Sequence, residues 1–199
     1  MKIIFLDIDG VLNCQKTEAR CGCFIGIDKS KVKQLRRLFD ATNAKIVLSS
    51  SWKSGWERVN KELQDREGNY LDRRLRDEGM LILDKTDDIW GSSFRGKSIK
   101  HWMSQLPEGK IEQFVILDDE VFDYAKEGLL PHLVQTSFYS DCGGLTDECV
   151  ELAIKILNDG PAATQPIPNG FVVCSNCIYF DECDYKESRD GCYLGEEEM

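Results

Sequence analysis

The 199-residue sequence predicts an α/β fold in which a parallel sheet carries helices on both faces, followed by a short Cys-rich C-terminal segment. Three observations carry this expectation. Short apolar runs alternate along the chain with segments whose apolar residues recur at helical spacing. Two of the runs, residues 3–6 and 114–117, are unbroken, as strands covered on both faces are, and each ends in carboxylates. After Asn158 the pattern gives way to GPAATQPIPNG and then to a segment rich in cysteine.

Taken in order, Ile3, Ile4, Phe5 and Leu6 predict a central strand that runs into Asp7, Asp9 and Gly10. Two carboxylates at a strand's carboxyl end lie where open α/β sheets place ligands. They repel each other unless a cation lies between them or one is protonated. Asp28 can cap a helix bearing Val32, Leu35, Leu38 and Phe39, and AKIVLSSS supplies a second strand at residues 46–48, which completes a βαβ unit. Trp52, Trp56, Val59 and Leu63 fall at helical spacing and predict one buried helix face. Residues 80–83 form a brief apolar run, helix or strand. Ser98 is the expected cap of a helix carrying Ile99, Trp102, Met103 and Leu106, which Pro107 and Gly109 terminate. A third strand at residues 114–117 then leads into Asp118 and Asp119. A short apolar segment surrounds Leu133 and Val134. Thr146 caps a last helix with Leu145, Cys149, Leu152 and Ile156 on one face, and Asp147 and Glu148 favour the dipole of its first turn.

The domain expectation is an α/β domain at 1–158, a linker at 159–170 holding three of the five prolines, and a Cys-rich acidic tail at 171–199. A hydrophobic content of 42% supports a full core. No apolar stretch approaches the roughly 18 residues of a membrane helix. Asp7 interrupts the first run too early for an export signal, so the expectation is a cytoplasmic protein with no membrane partner. Its nine cysteines then read as reduced thiols or metal ligands. The net charge of −10 disfavours indiscriminate binding to nucleic acid or anionic membrane. Residues 181–199 hold eight acids against Lys186 and Arg189 and supply −6 of that charge. Residues 16–37 are locally basic, which reads first as a solvated helix face and second as a contact for an anionic substrate.

Four stretches in order resemble the motifs of the haloacid dehalogenase (HAD) superfamily of aspartate-nucleophile phosphohydrolases. IIFLDIDGV resembles the first motif, and the resemblance makes Asp7 the nucleophile and Asp9 the general acid and base. IVLSSSW is similar to the second, with Ser50 the first choice for a phosphoryl contact and Ser49 the alternative. RGKSIKHW offers Arg95 or Lys97 as the cation of the third, with Arg95 preferred because its planar fork suits phosphate oxygens. VILDDE supplies the acidic pair of the fourth, Asp118 and Asp119. The fold implied is HAD-like, a Rossmannoid sheet. GLTDECVELAIKIL is similar to the closing helix of a subgroup related to RNA-repair proteins.

The resemblance implies a Mg²⁺-dependent phosphomonoester hydrolase that forms an aspartyl-phosphate, with Mg²⁺ held by Asp7, Asp9, Asp118 and Asp119. Asp9 argues against dehalogenation, because dehalogenases lack this acid. Residues 11–45 leave no room for a folded cap, and residues 53–94 could hold little more than a helix and an irregular excursion, so the core is expected to be capless. Substrates in view are small phosphoesters, nucleotides or polynucleotide ends. The competing expectation is a catalytically vestigial HAD-fold scaffold that acts through its tail. There, Cys174, Cys177, Cys183 and Cys192 offer four thiolates for Zn²⁺, with an iron–sulfur cluster, disulfides or unliganded thiols as alternatives, and a protein partner as the use of the tail.

Overall fold

A computed structural model of the chain describes residues 1–161, which belong to one compact unit. The linker beyond 161, the tail and its four cysteines lie outside the described residues. The strands are β1 (Lys2–Leu6), β2 (Arg20–Cys21), β3 (Phe24–Ile25), β4 (Lys45–Leu48), β5 (Ile82–Lys85), β6 (Gln113–Asp118) and β7 (Leu133–Gln135). The α-helices are α1 (Lys29–Thr42), α2 (Arg66–Arg76), α3 (Arg95–Ser104) and α4 (Asp147–Asp159). Five strands form one parallel sheet in the order β5-β4-β1-β6-β7, while β2 and β3 make a separate small hairpin.

The unbroken apolar run of β1 is explained by its central place in that sheet. Successive side chains of a strand point to opposite faces, and both faces are covered here. Ile4 and Leu6 pack with Val32 and Leu35 of α1, Leu71 of α2 and Ala153 of α4. Ile3 and Phe5 pack on the other side with Ile99 and Trp102 of α3 and with Tyr124. These four apolar side chains of β1 are fully buried, and each contributes about 1.5–3 kcal/mol of apolar burial. One polar substitution in this strand would therefore strike one of the two cores directly.

Local signals set the ends of two helices as expected. The Asp28 carboxylate accepts from Ser30 N at the start of α1, and Thr146 Oγ1 accepts from Cys149 N at the start of α4. The buried face of α4 is Val150, Ala153, Ile156 and Leu157, with Cys149 and Leu152 only partly buried at its side.

Two local expectations need correction. Residues 52–63 are not one helix: Ser50 caps a 3₁₀ turn, Ser51–Gly55, a second short 3₁₀ turn follows at Lys61–Leu63, and Trp52 and Trp56 are buried while Val59 and Leu63 are exposed. Gly55 lies so close to Asp65 that an added Cβ would sit 2.1 Å from the carboxylate, and Trp56 Nε1 donates to Asp72 of α2 at 2.7 Å. The turn is held against a helix that follows it rather than propagating into one. The other correction concerns Ser98, which lies inside α3 and not at its start. The helix begins earlier because the Asp123 carboxylate accepts from Gly96 N at 2.6 Å and Lys97 N at 3.1 Å, doing from a distant loop what a cap does locally. The apolar run at residues 80–83 leads into edge strand β5. No inserted domain interrupts the described residues, and none of their helices is long and apolar enough to cross a membrane.

Candidate active site

Parallel pairing dictates which chain segments meet at the carboxyl edge of the sheet. Leu6 of β1 is in register with Leu48 of β4 and Leu117 of β6, so Asp7, Ser49 and Asp118 follow at the same level. Asp7 N donates to Leu117 O at 2.9 Å and Ser49 N to Leu6 O at 3.0 Å, which extends the ladder to the site itself. The side chains of Asp7, Asp118 and Asp119 thereby bring oxygen atoms within 4.8 Å of one another.

Three buried or half-buried carboxylates are tolerated because a cation stands among them. Arg95, at the first turn of α3, places Nη1 2.8 Å from Asp118 Oδ2 and 3.2 Å from Asp7 Oδ1. Its guanidinium also lies 4.2 Å from the centroid of Phe122, a residue held at φ 42°, in the left-handed region. Burial alone would lower the basicity of Arg95, but Asp118 and Asp7 outweigh it and hold the group charged. One cation does not neutralise three acids. Burial, and then the charge of Asp7, push Asp118 up to about 8 and Asp119 up to about 7. Asp7 is also raised by burial, against the lowering effects of Arg95 and of a hydrogen bond from Ser50.

Gly10 has two reasons to be glycine. Its φ is +75°, and an added Cβ would lie 2.2 Å from Asp119 Cγ. The glycine of DIDG is thus the space that lets Asp119 approach the first motif.

Asp9 does not join the other three carboxylates. The group within 4.8 Å comprises Asp7, Asp118 and Asp119, so the expectation that Asp9 gives its carboxylate to the same ion lacks geometric support. Two residues on from Asp7, Asp9 is only half-buried, and it accepts from Asn13 Nδ2 at 2.8 Å and Trp52 Nε1 at 3.0 Å. These donors hold it at the wall of an open cleft of about 690 Å³, which Asp7, Arg95 and Asp119 also line. Of the two serines, Ser50 is the one hydrogen-bonded to Asp7, while Ser49 Oγ is buried without a partner. Of the two third-motif cations, Arg95 reaches the acids, whereas Lys97 is exposed with its ammonium 4.7 Å from the Phe94 ring centroid.

The acidic group fits a hard divalent cation. Its donors are all carboxylate oxygens, and Asp7 Oδ1 is buried without a hydrogen bond, its ion pair with Arg95 lacking hydrogen-bond alignment. Asp7, Asp118 and Asp119 are the residues that would hold Mg²⁺.

Several site residues escape the sequence patterns. Trp52 reads as core from its spacing and is buried, yet its indole N–H is committed to Asp9. Asn13 bridges Asp9 to Gly10 N, and Tyr124 donates to Asp118 Oδ2 at 2.8 Å. Lys53 is buried with Nζ 3.0 Å from both Thr86 Oγ1 and Asp87 O and 2.7 Å from Asp88 Oδ1, tying the turn after β4 to the loop that precedes α3. The sole sequence signal for any of these is position, since Asn13 and Trp52 follow closely on two of the motifs.

Neither a search of curated proteins nor one of solved structures returned a match. A family model does match, over residues 3–150, a span that takes in all four motifs and the first turn of α4. With the strand order, the convergent acids and that match together, the chain belongs to the family described as the HAD domain in Swiss Army Knife RNA repair proteins.

Proposed function

We propose that the protein is a Mg²⁺-dependent phosphomonoester hydrolase that works through an aspartyl-phosphate on Asp7. Membership of the HAD family supports a phosphohydrolase-type function. The observation that carries the finer reading is the meeting of Asp7, Asp118 and Asp119 around Arg95, with the Asp9 carboxylate held separately at the wall of the same cleft. That separation divides the labour. Carboxylates that share a cation suit nucleophile and metal ligand, while one held apart suits proton transfer.

In this reading an Asp7 oxygen attacks phosphorus as the bond to the ester oxygen breaks, and Asp9 gives its proton to that leaving oxygen. Water then attacks the phosphorus of the aspartyl-phosphate, Asp9 takes the water's proton, and the bond to Asp7 breaks to release phosphate. Arg95 supplies fixed positive charge beside the phosphoryl oxygens without having to reorganise, since its partners and Phe122 already hold it. The Ser50 hydroxyl, hydrogen-bonded to Asp7, orients the nucleophile. Trp52 and Asn13 keep Asp9 facing the cleft. Asp7, Asp118 and Asp119 would hold Mg²⁺, which when bound would supply positive charge to the phosphoryl oxygens.

The test is hydrolysis of an aryl phosphate by the full chain with Mg²⁺ and with EDTA, alongside Asp7→Asn. Turnover that needs Mg²⁺ and disappears in a folded Asp7→Asn protein is expected. Turnover undiminished by chelator, or retained by the variant, refutes the metal or the covalent step respectively. A folded wild-type chain that turns over no phosphoester would favour the vestigial-scaffold reading.

A further inference from the structure

The cleft over the acids has walls whose chemistry is more selective than the phosphoryl site itself. Phe24, Trp52, Phe138 and Tyr139 line it, and two of these rings are conspicuously bare: Phe24 is 58% exposed and Tyr139 77%. Phe24 stands on the hairpin β2–β3, and Tyr139 on the loop after β7, where Phe138 packs edge-on against it at 5.1 Å between centroids. Exposed, propped aromatic faces at a cleft wall are platforms for a flat partner. The volume, about 690 Å³, is that of a site for one small molecule.

Charge narrows the choice further. Among the described residues lining the cleft, Arg95 is the sole cation, and it is already committed to Asp7 and Asp118. Asp65, Glu67 and Glu120 line the remaining wall. A polynucleotide end brings flanking phosphates along with the reacting one, and this wall would repel them. The basic stretch at residues 16–37 does not compensate. Lys16 pairs with Asp141, Arg36 with Asp40, and Arg37 with Asp147 and Glu151, and no cation of that stretch lines the cleft. The acids of the wall are instead acceptors for ribose hydroxyls and exocyclic amino groups, which a nucleoside offers and a simple aryl group lacks.

We propose that the cleft takes a nucleoside monophosphate, with its single phosphoryl group at Asp7 and its base against Tyr139 and Phe24, in preference to the phosphorylated end of a polynucleotide. This rests on the phosphomonoester reading of the site. Base stacking supplies the selectivity, and the acidic wall excludes the polyanion.

Binding to the full-length Asp7→Asn chain in Mg²⁺, followed by titration calorimetry, separates this inference from the catalytic one. The probes are adenosine monophosphate, ribose phosphate, phenyl phosphate and a tetranucleotide with the same terminal phosphate. Adenosine monophosphate should bind about tenfold or more tightly than ribose phosphate, as one stacked base provides. Adding Tyr139→Ala and Phe24→Ala together should remove most of that advantage, and the tetranucleotide should bind more weakly than the mononucleotide. The inference is overturned by absent nucleotide binding, by ribose phosphate or phenyl phosphate binding as tightly as the nucleotide, or by tighter binding of the tetranucleotide. Parallel turnover by the wild-type chain distinguishes the two readings. A nucleotide bound as described but never hydrolysed defeats the hydrolase and leaves the inference standing, whereas glycerol phosphate hydrolysed as well as the nucleotide does the reverse.

Discussion

Replacing Arg95 with Met removes a charge from between two buried acids while keeping most of the side-chain stem. The Arg95 side chain is 12% exposed, and its partners Asp7 and Asp118 are 5% and 0% exposed, so water cannot take the place of the guanidinium. Breaking a buried pair by deleting one partner costs about 3–5 kcal/mol, because the remaining charge stays buried without compensation. For a chain of this size that corresponds to a fall in melting temperature on the order of 10 °C. The loss should also depend on pH with a definite sign. Without the cation, Asp7 and Asp118, already raised by burial, are raised further, so the native variant holds protons that the wild type has released. A native state that binds more protons loses stability as pH rises. The difference between wild type and variant should therefore widen as pH rises toward about 9 through the region near 8 to which Asp118 is pushed. Urea unfolding of both proteins in EDTA across that range measures it, since bound metal would replace part of the missing charge. A loss below about 1 kcal/mol, or one independent of pH, would refute the view that Arg95 neutralises the acidic group.

Three further outcomes follow from single contacts. Gly10→Ala forces a side chain into a left-handed position and onto Asp119, and should cost about 1–2 kcal/mol from the backbone alone while weakening Mg²⁺ binding. Unchanged Mg²⁺ affinity by calorimetry would show that Asp119 is not held by that approach. Trp52→Phe keeps a buried ring but removes the N–H given to Asp9, and should slow alkyl phosphates more than activated aryl phosphates. Equal losses on both substrates would detach Trp52 from proton transfer. Burial holds the His132 imidazolium below its ordinary 6.5, with its ring stacked 3.8 Å from the Phe114 centroid, so the unfolded chain takes up the proton first as pH falls. Stability from this group is lost as pH descends through about 6.5, and His132→Gln should flatten that part of a urea-midpoint profile; an unchanged profile would contradict it.

The resemblance carried by four short motifs and the alternation of apolar runs were enough to anticipate the parallel sheet, Asp7 at the end of β1 and the acidic pair at the end of β6. These are legible because the signals are local. A strand covered on both faces must be continuously apolar, and parallel pairing then takes every strand end to one edge. The caps at Asp28 and Thr146 are legible for the same reason, since each side chain meets a backbone N–H two or three residues away.

Tertiary structure decided what depends on distant partners. The start of α3 was displaced from Ser98 by Asp123, 27 residues from the N–H of Gly96 that it accepts. Asp9, outside the group formed by the other acids, is held by Asn13 and by the indole of Trp52, 43 residues along the chain. Arg95, rather than Lys97, reaches Asp7 and Asp118 because the turn set by Asp123 aims one side chain at the sheet edge and leaves the other in solvent. Periodicity and capping act over a few residues, whereas a buried charge is stable only where the whole fold assembles its partners around it.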